Sequence, residues 1–350
     1  MRIAQIAPLT ESVPPRTYGG TERVVSFLTE ELMAMGHDVT LFASGDSVTT
    51  AKLEAVWPTA LRFDTTLRDA MAPVMLQLEL LARKAHEFDV LHCHLDYWPF
   101  TTLTRQGTPF ITTLHGRLDL PELTRVFDCF DDVPVVSISD SQRLPLPNAN
   151  FIGTVYHGLP TDLLTPREGP RDYLAFLGRI CPEKSPDRAI RIARRAGMNL
   201  KIAAKIDKVD RDYYETTIRP MIDGQQIEMI GEISDAEKPE FLSGAKALLL
   251  PIDWPEPFGL VMIEAMACGT PTIAFSAGSV PEVIDHGVTG YIVRDEAQAV
   301  TALRHLHKLS SERIREVFET RFTARRMAED YLDLYRGMAL KRRPALRVVT

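Results

Sequence analysis

The stretch that decides the fold covers residues 246–275 and reads KALLLPIDWPEPFGLVMIEAMACGTPTIAF. Its apolar run predicts a buried strand over Ala247–Pro251, and Thr272–Phe275 predicts a second strand. Between them, Gly259 marks the start of a helix that Gly269 ends, because Pro271 cannot continue it. A strand, a loop, a helix and another strand in this order are typical of a parallel sheet covered by helices.

Two carboxylates lie close to the predicted helix start. Pro255 and Pro257 exclude helix around Glu256, which places this carboxylate in a loop at a strand end. The free N–H groups of a helix that starts near Gly259 form an anion site, and Glu264 lies within the first two turns. Because two carboxylates would repel a phosphate, they are better suited to accept hydrogen bonds from hydroxyl groups. A ligand with both phosphates and sugar hydroxyls fits this arrangement.

The N-terminal half alternates strands and helices in the same way. A helix that Thr21 can cap and Gly36 can end lies between two of the strands, after an unusually long loop. A second helix is predicted over Leu76–Glu87. The predicted strands of this half are Arg2–Ala7, His37–Ala43, Val90–Cys93, Phe110–Leu114 and Val135–Ser139.

A Pro-rich polar segment, LPTDLLTPREGP at residues 159–170, interrupts this alternation, which then restarts. We therefore predict one domain over residues 1–165, a second over 166–322 and a terminal segment over 323–350, with helix from Ser311 through Arg336. Ligands of such sheets bind outside the carboxyl ends of the strands. The second half has predicted strands over Tyr173–Leu177, Leu200–Ala204 and Gln226–Met229 and a predicted helix over Pro186–Arg195, and the 246–275 stretch follows them.

Two cations follow the first strand of the second half. The segment FLGRICPEKSPDRA, residues 176–189, places Arg179 and Lys184 five residues apart across a turn that contains Pro182. Cations at this position can clamp a diphosphate and stabilise the charge of a departing nucleotide. A solvated basic turn is the alternative interpretation of this motif taken alone.

Histidines and aromatic residues follow two strands of the first half. His115 ends the segment ITTLHG, residues 111–116, and His92 and His94 point to one face of VLHCHLDYW, residues 90–98. A metal site would need further ligands, and the sequence offers no convincing set. Aromatic residues suit the binding of a sugar or another ring. Tyr18, His94, Asp96 and Trp98 are therefore the candidate residues for binding a second ligand, the acceptor of a transferred group.

Composition sets the outer limits. The chain has 350 residues, a hydrophobic content of 45%, a charged content of 25% and a net charge of −7. These values describe an ordinary globular protein and argue against nucleic acid as a general partner. Four scattered cysteines without a CxxC pair, and the lack of an apolar run of membrane-spanning length, favour a reduced cytoplasmic protein. The basic tail KRRPALRVVT is interpreted as solvated, with peripheral membrane contact as an unsupported alternative.

The stretch EPFGLVMIE, with ACGTPTIA after it, resembles the Glu-x7-Glu signature of retaining family-4 glycosyltransferases, also called glycosyl transferases group 1. The resemblance extends from the glycine loop PPRTYGGTERVV, residues 14–25, to the terminal helix. It implies the GT-B fold, in which two Rossmann-like α/β domains face a central cleft. It also implies that the terminal helix crosses back onto the first domain. Most relatives have glycine after the lysine of the Arg179–Lys184 segment, where this chain has Ser185.

The resemblance also implies roles for individual residues. The first glutamate of the signature, Glu256, would lie at the donor sugar, and Glu264 would bind the ribose of the nucleotide. Backbone around Phe258, Gly259 and Leu260 would contact the sugar and diphosphate. Donor contacts are further implied for Gly19, Gly20, Arg179, Lys184, Lys205 and Glu232. Catalytic roles are implied for Glu256, His115, Arg179 and Lys184, with His115 positioned near the donor sugar.

We therefore expect a retaining, metal-independent enzyme that moves a hexosyl unit from a nucleoside diphosphate sugar to an acceptor hydroxyl. UDP-glucose is the donor type that the resemblance favours. Other sugar-nucleotide enzymes on the same fold (a hydrolase, an epimerase or a phosphorylase-like enzyme) and a non-catalytic sugar-nucleotide-binding protein are the alternatives. A nicotinamide oxidoreductase is disfavoured, because the glycine loop lacks the GxGxxG pattern of dinucleotide-binding sites.

Overall fold

A computed structural model describes residues 1–16 and 19–341 of the chain, with side chains described through residue 338. The contacts divide the chain into two compact units. One unit combines Met1–Gly158 with the terminal segment from Ala324, and the other is the continuous stretch Leu159–Thr323. Each unit is built around its own parallel sheet.

The first unit has a sheet of seven strands among its described residues, in the order β3-β2-β1-β4-β5-β6-β7. Every neighbouring pair in this sheet is parallel. The strands are β1 (Arg2–Ile6), β2 (Asp38–Ser44), β3 (Lys52–Trp57), β4 (Val90–Cys93), β5 (Phe110–Thr113), β6 (Val135–Ser137) and β7 (Phe151–Thr154). The helices that follow them are α1 (Gly20–Ala34), α2 (Met71–Lys84), α3 (Phe100–Leu103), α4 (Pro121–Cys129) and α5 (Asp140–Arg143).

The second unit has a parallel sheet of six strands in the order β10-β9-β8-β11-β12-β13. The strands are β8 (Tyr173–Arg179), β9 (Asn199–Lys205), β10 (Ile227–Gly231), β11 (Ala245–Leu250), β12 (Thr272–Phe275) and β13 (Gly290–Val293). The helices are α6 (Pro186–Ala196), α7 (Arg211–Tyr213), α8 (Lys238–Ser243), α9 (Leu260–Ala267), α10 (Val280–Val283), α11 (Glu296–Leu303) and α12 (Ser311–Arg321).

Both sheets have the doubly wound strand order, and the predicted fold class of two Rossmann-like domains is confirmed. In each sheet the first strand lies inside, and the chain continues on one side of it before switching to the other. The switch point lies between β1 and β4 in the first unit and between β8 and β11 in the second. Loops at the carboxyl ends of these strand pairs are the expected place for a ligand.

The terminal helix α13 (Ala324–Lys341) belongs to the first unit, where it packs against α1. The sequence predicted one helix from Ser311 through Arg336, but the structure ends α12 at Arg321 and starts α13 at Ala324. The carbonyl of Phe322 leaves the helical pattern to accept the backbone N–H of Leu159 at 2.9 Å. A distant strand-like partner therefore interrupts a segment whose local sequence favours helix.

Helix α1 also differs from the prediction at its start. Thr21 was predicted to cap it, but the cap position is Gly19 and Thr21 lies inside the first turn. The predicted end is closer to the structure, because Gly36 follows the helix with a left-handed φ of 81°. Strands β3, β7 and β13 were not predicted. In the part of the chain that the structure describes, no helix has the length and apolarity needed to cross a membrane.

Candidate active site

The Glu256 carboxylate lies in the loop after β11, as the two prolines predicted. Its residue is only 7% exposed, so its charge needs partners. The Lys184 ammonium, from the loop after β8, forms an ion pair with Glu256 Oε2. The indole N–H of Trp254 donates to the same oxygen at 3.0 Å. The two loops of the β8/β11 switch point thus meet at this carboxylate.

Gly278 and Ser279, in the turn after β12, contact the backbone of the Glu256 loop and hold it in place. The Ser279 N–H donates to the carbonyl of Glu256 at 3.0 Å, and the Ser279 hydroxyl donates to the carbonyl of Phe258 at 2.7 Å. Gly278 lies so close that an added Cβ would be 2.3 Å from both the nitrogen and the oxygen of Glu256. Sequence reasoning did not identify either residue as a support for the loop.

Helix α9 starts beside this loop. Gly259 is its cap residue and has a left-handed φ of 80°, which glycine adopts without strain. The first turn carries no acidic side chain, so this helix start offers backbone N–H groups of the kind that bind anions. The Phe258 ring is buried, with its centroid 6.3 Å from that of Phe322. Because this ring is buried, a ligand beside the loop could contact Phe258 only through its backbone. Leu260 is the first residue of the helix.

Glu264 is the one ionisable residue in the sequence of α9, LVMIEAMA. It is 4% exposed, and its Oε1 accepts from the Lys238 ammonium at 2.6 Å. Lys238 begins α8, is itself buried, and also pairs with Asp235 Oδ1 at 3.0 Å. The sequence predicted Glu264 as a hydroxyl acceptor but not its pairing with Lys238, because nothing in the local sequence links α8 to α9.

Arg179 and Lys205 lie side by side at the ends of β8 and β9, where they are paired in register. Both face acidic side chains of the following loop. Arg179 Nη1 lies 3.6 Å from Asp207 Oδ2, and Arg179 Nε lies 3.7 Å from Asp210 Oδ2. Lys205 Nζ lies 3.1 Å from Asp207 Oδ1. An anionic ligand would therefore compete with Asp207 for both cations.

Ser185 has the left-handed conformation that glycine would adopt after Lys184, with φ 50° and ψ 54°. Its hydroxyl donates to the carbonyl of Pro182 at 2.9 Å. The same loop is tied to the Glu256 loop, because the Asp253 N–H donates to the carbonyl of Glu183 at 2.9 Å. The exchange of glycine for serine therefore leaves this turn in the conformation that glycine favours.

Three further predicted donor residues lie on other elements. Gly19 and Gly20 form the start of α1, and a Cβ on Gly19 would lie 2.7 Å from Pro15 Cβ. Glycine is therefore needed at position 19 for close packing of the loop. Glu232 is exposed and follows Gly231, which ends β10 with a left-handed φ of 84°.

His94 and His115 are brought together at the carboxyl ends of β4 and β5, where His94 Nδ1 lies 2.9 Å from His115 Nε2. Desolvation lowers the pKa of His115 to about 3 and that of His94 well below its usual value. The His157 ring stacks on the His115 ring with centroids 5.3 Å apart. Both His94 and His115 are therefore neutral at physiological pH.

The remaining predicted acceptor-side residues are more exposed. Asp96 has a left-handed φ of 50°, and its carboxylate accepts the backbone N–H of His115. Desolvation raises the pKa of Asp96. Trp98 is 41% exposed. Tyr18 lies outside the described residues, as does most of the basic tail. Within residues 1–16 and 19–341, no three His, Cys, Asp or Glu side chains are grouped as metal ligands would be.

Two family models match complementary parts of the chain. "Glycosyl transferases group 1" matches residues 165–325, and "Glycosyltransferase Family 4" matches residues 18–134. The chain belongs to the group 1, family-4 type of GT-B glycosyltransferases. The predicted family is confirmed.

Curated relatives of this glycosyltransferase match it over segments. The N-acetyl-alpha-D-glucosaminyl L-malate synthase of Bacillus anthracis is 38% identical over 96 residues, which are 25% of each chain. The D-inositol 3-phosphate glycosyltransferase of Mycolicibacterium smegmatis is 28% identical over 259 residues, 61% of this chain and 58% of the relative. The chain thus spans 25% of the length of the first relative and 58% of the length of the second.

A solved structure extends the likeness in fold to nearly the full length. The Anabaena protein HepE, crystallised with UDP-glucose, superposes with a TM-score of 0.73 at 14% sequence identity. The match covers 96% of this glycosyltransferase and 100% of the HepE chain. At this identity the likeness shows the shared GT-B fold.

Proposed function

We propose that this glycosyltransferase moves a hexosyl unit from a nucleoside diphosphate sugar to an acceptor hydroxyl, with retention at the anomeric carbon. The observation that carries the proposal is the meeting of Lys184, Glu256 and the start of α9 at the β8/β11 switch point. Cations and a helix start suit the diphosphate, and the carboxylates suit hydroxyl groups. The complex of HepE with UDP-glucose supports a UDP-sugar as donor.

In this proposal Glu256 recognises the sugar by hydrogen bonding. Its carboxylate is held by Lys184 and Trp254, and Asp253, the other carboxylate of the loop between β11 and α9, pairs with Arg188 instead. Retaining glycosidases place two carboxylates about 5–5.5 Å apart, with one as nucleophile. Glu256 therefore accepts hydrogen bonds from sugar hydroxyls. Lys184 interacts electrostatically with the diphosphate as well as with Glu256.

Bond exchange takes place on one face of the sugar in this proposal. The acceptor oxygen forms a bond to the anomeric carbon as the bond from that carbon to the diphosphate oxygen breaks. The acceptor proton passes to the leaving diphosphate. Arg179, Lys184 and the N–H groups at the start of α9 stabilise the charge that the diphosphate gains. We propose that these groups make a metal ion unnecessary, so turnover should persist in excess EDTA.

Donor turnover tests the activity directly. UDP-glucose, GDP-sugars and ADP-glucose are incubated with the protein and a panel of hydroxyl acceptors. The products are followed by the release of nucleotide and by the anomeric configuration of the new glycoside. Retained transfer supports the proposal. Free sugar without glycoside would indicate a hydrolase, and binding without turnover would indicate a non-catalytic sugar-nucleotide-binding protein.

The roles of Glu264 and Arg179 predict different kinetic effects. Glu264→Ala should weaken nucleotide binding roughly tenfold, because it removes a hydrogen-bond acceptor for the ribose. Arg179→Ala should mainly lower kcat, roughly 100-fold, because it removes charge stabilisation from the leaving group. Binding is measured by calorimetry with UDP, and kcat with saturating donor. Equal effects of both variants on binding and on kcat would contradict these roles.

Glu264→Ala also removes one of the two ion pairs of the buried Lys238, and because the pair with Asp235 remains, the stability should fall by about 1–3 kcal/mol. Lys238→Met is therefore the matched control, because it breaks the same pair but keeps the carboxylate. If the loss of nucleotide binding came from the broken ion pair alone, Lys238→Met would show the same loss. Thermal unfolding of both variants separates the two effects.

A further inference from the structure

A continuous line of buried side chains extends inward from His115. Six hydrogen-bond distances, all between 2.7 and 3.2 Å, join its members. Except for His115, which is partly exposed, every member is at least 97% buried. The line connects, in order, His115, His94, Gln5, Tyr335, His92, Thr113 and Tyr331.

Three strands and the terminal helix contribute to this line. Gln5 lies on β1, His92 on β4 and Thr113 on β5, so these three come from adjacent strands of the sheet. Tyr331 and Tyr335 come from α13 and are fully buried. A buried polar line of this kind is stable only if each contact has one donor and one acceptor.

The Gln5 amide gives the line a direction. Gln5 Oε1 lies 2.9 Å from His94 Nε2, and Gln5 Nε2 lies 3.2 Å from the Tyr335 hydroxyl. A carbonyl oxygen can only accept, so His94 Nε2 carries the proton and donates to it. The Tyr335 oxygen accepts from the amide, and its own proton goes to His92 Nδ1 at 2.7 Å.

The protonation state of each ring then follows. A neutral imidazole has one N–H and one bare nitrogen, and desolvation lowers the pKa values of His92 and His94 so that both rings are neutral. Because His94 donates through Nε2, its Nδ1 is bare and accepts from His115 Nε2 at 2.9 Å. The proton of His115 is therefore on Nε2, which leaves Nδ1 as a hydrogen-bond acceptor.

We infer that Gln5 and Tyr335 are positioning residues that hold His115 in the Nε2–H tautomer, so that its Nδ1 accepts a hydrogen bond from a ligand hydroxyl. The inference deepens the proposed function and rests on it for the identity of the ligand, a sugar. Gln5 acts through His94, and Tyr335 acts by holding the Gln5 amide in the orientation that presents its oxygen to His94. The reversed amide would put a donor, Nδ1–H, at His115.

Histidine tautomers are measured by NMR of the full-length protein with ¹⁵N-labelled histidine at pH 7.5, without any sugar nucleotide. Signals are assigned from variants that each lack one histidine. The expected result is a proton on Nε2 of both His94 and His115. A proton on Nδ1 of His115 in the native protein would overturn the inference.

Variants of Gln5 test the control of the tautomer. Gln5→Leu removes the acceptor of His94, so the His115 signal should become a mixture of tautomers and kcat should fall roughly 10–100-fold. The Kd of UDP should change less than twofold. Gln5→Glu keeps an acceptor towards His94 and should restore the Nε2–H tautomer. A native tautomer together with native kcat in Gln5→Leu would contradict the inference.

Tyr335→Phe and Tyr331→Phe form a matched pair. Tyr335→Phe leaves Gln5 Nε2 with its longer contact to His92 Nδ1, at 3.4 Å, and should therefore add the second tautomer at His115. Tyr331→Phe removes only the far end of the line and should leave the tautomer unchanged. Equal spectra for the two variants would count against the role of Tyr335. If Gln5→Leu does not fold, the native tautomer, Gln5→Glu and this pair still decide. A native Nε2–H signal without any sugar transfer would refute the proposed function and leave the tautomer assignment intact.

Discussion

Ser185 has a backbone conformation that costs a residue with a Cβ about 1 kcal/mol relative to glycine. Its φ of 50° is left-handed, and the hydrogen bond from its hydroxyl to Pro182 recovers part of that cost. Lys184, the partner of Glu256, is the preceding residue. A strained but hydrogen-bonded residue therefore lies directly next to a residue of the candidate active site.

We predict that Ser185→Gly destabilises the protein by no more than about 0.5 kcal/mol, because the relief of strain offsets the lost hydrogen bond to Pro182 and leaves only the added entropy of the unfolded chain. Ser185→Ala keeps the strain and loses the hydrogen bond, so it should destabilise by about 1 kcal/mol. Thermal unfolding of both variants measures the difference. The prediction is wrong if Ser185→Ala is as stable as Ser185→Gly.

At the scale of elements, the loop between β11 and α9 depends on the turn after β12. Gly278 and Ser279 hold the backbone of Glu256 and Phe258, so the position of the Glu256 carboxylate is set by a segment more than 20 residues away. The geometry leaves no room for a side chain at position 278, where φ is 55°.

Gly278→Ala should lower kcat roughly 100-fold, because the new Cβ must push the Glu256 loop away from its place. Gly337→Ala is the control: position 337 lies on α13, and an added Cβ meets no atom within 4 Å. This variant should keep the activity and gain about 0.5–1 kcal/mol of helix stability. Native kcat in a folded Gly278→Ala protein would contradict the proposed role of the turn.

The elements around Glu256 could be predicted because their signals are local. Prolines exclude helix, Gly259 opens the helix and Gly269 follows its end, so strand, loop and helix were all found from the residues themselves. The partners Trp254, Lys238 and Ser279 could not be identified as such, because their contacts depend on how separate elements pack. The break between α12 and α13 was missed for the same reason, since its cause is the distant backbone of Leu159.

At the scale of the whole molecule, buried histidines make stability depend on pH. Desolvation lowers the pKa values of His92, His94, His115 and His157 in the folded protein. In the unfolded chain a histidine titrates near 6.5. Below that pH the unfolded state binds more protons, so the stability that is present above about pH 6.5 is lost as the pH falls towards the folded pKa values.

Each such histidine should lower the free energy of unfolding by up to about 1.4 kcal/mol for each pH unit below 6.5. We therefore predict a fall in Tm between pH 7.5 and pH 5.5 that is accompanied by proton uptake on unfolding. Calorimetry in two buffers with different ionisation enthalpies measures that uptake. A flat Tm over this range, or an unfolding reaction without proton uptake, would contradict the prediction.

The discontinuous first unit has a consequence for synthesis of the chain on the ribosome. Tyr331 and Tyr335 complete the buried line around Gln5 and His92, yet they are translated more than 230 residues after His92. The second unit is continuous from Leu159 to Thr323, so all of its residues are available before α13 has been made. The part of the protein that is translated first is therefore the part that must wait longest for its last structural residues.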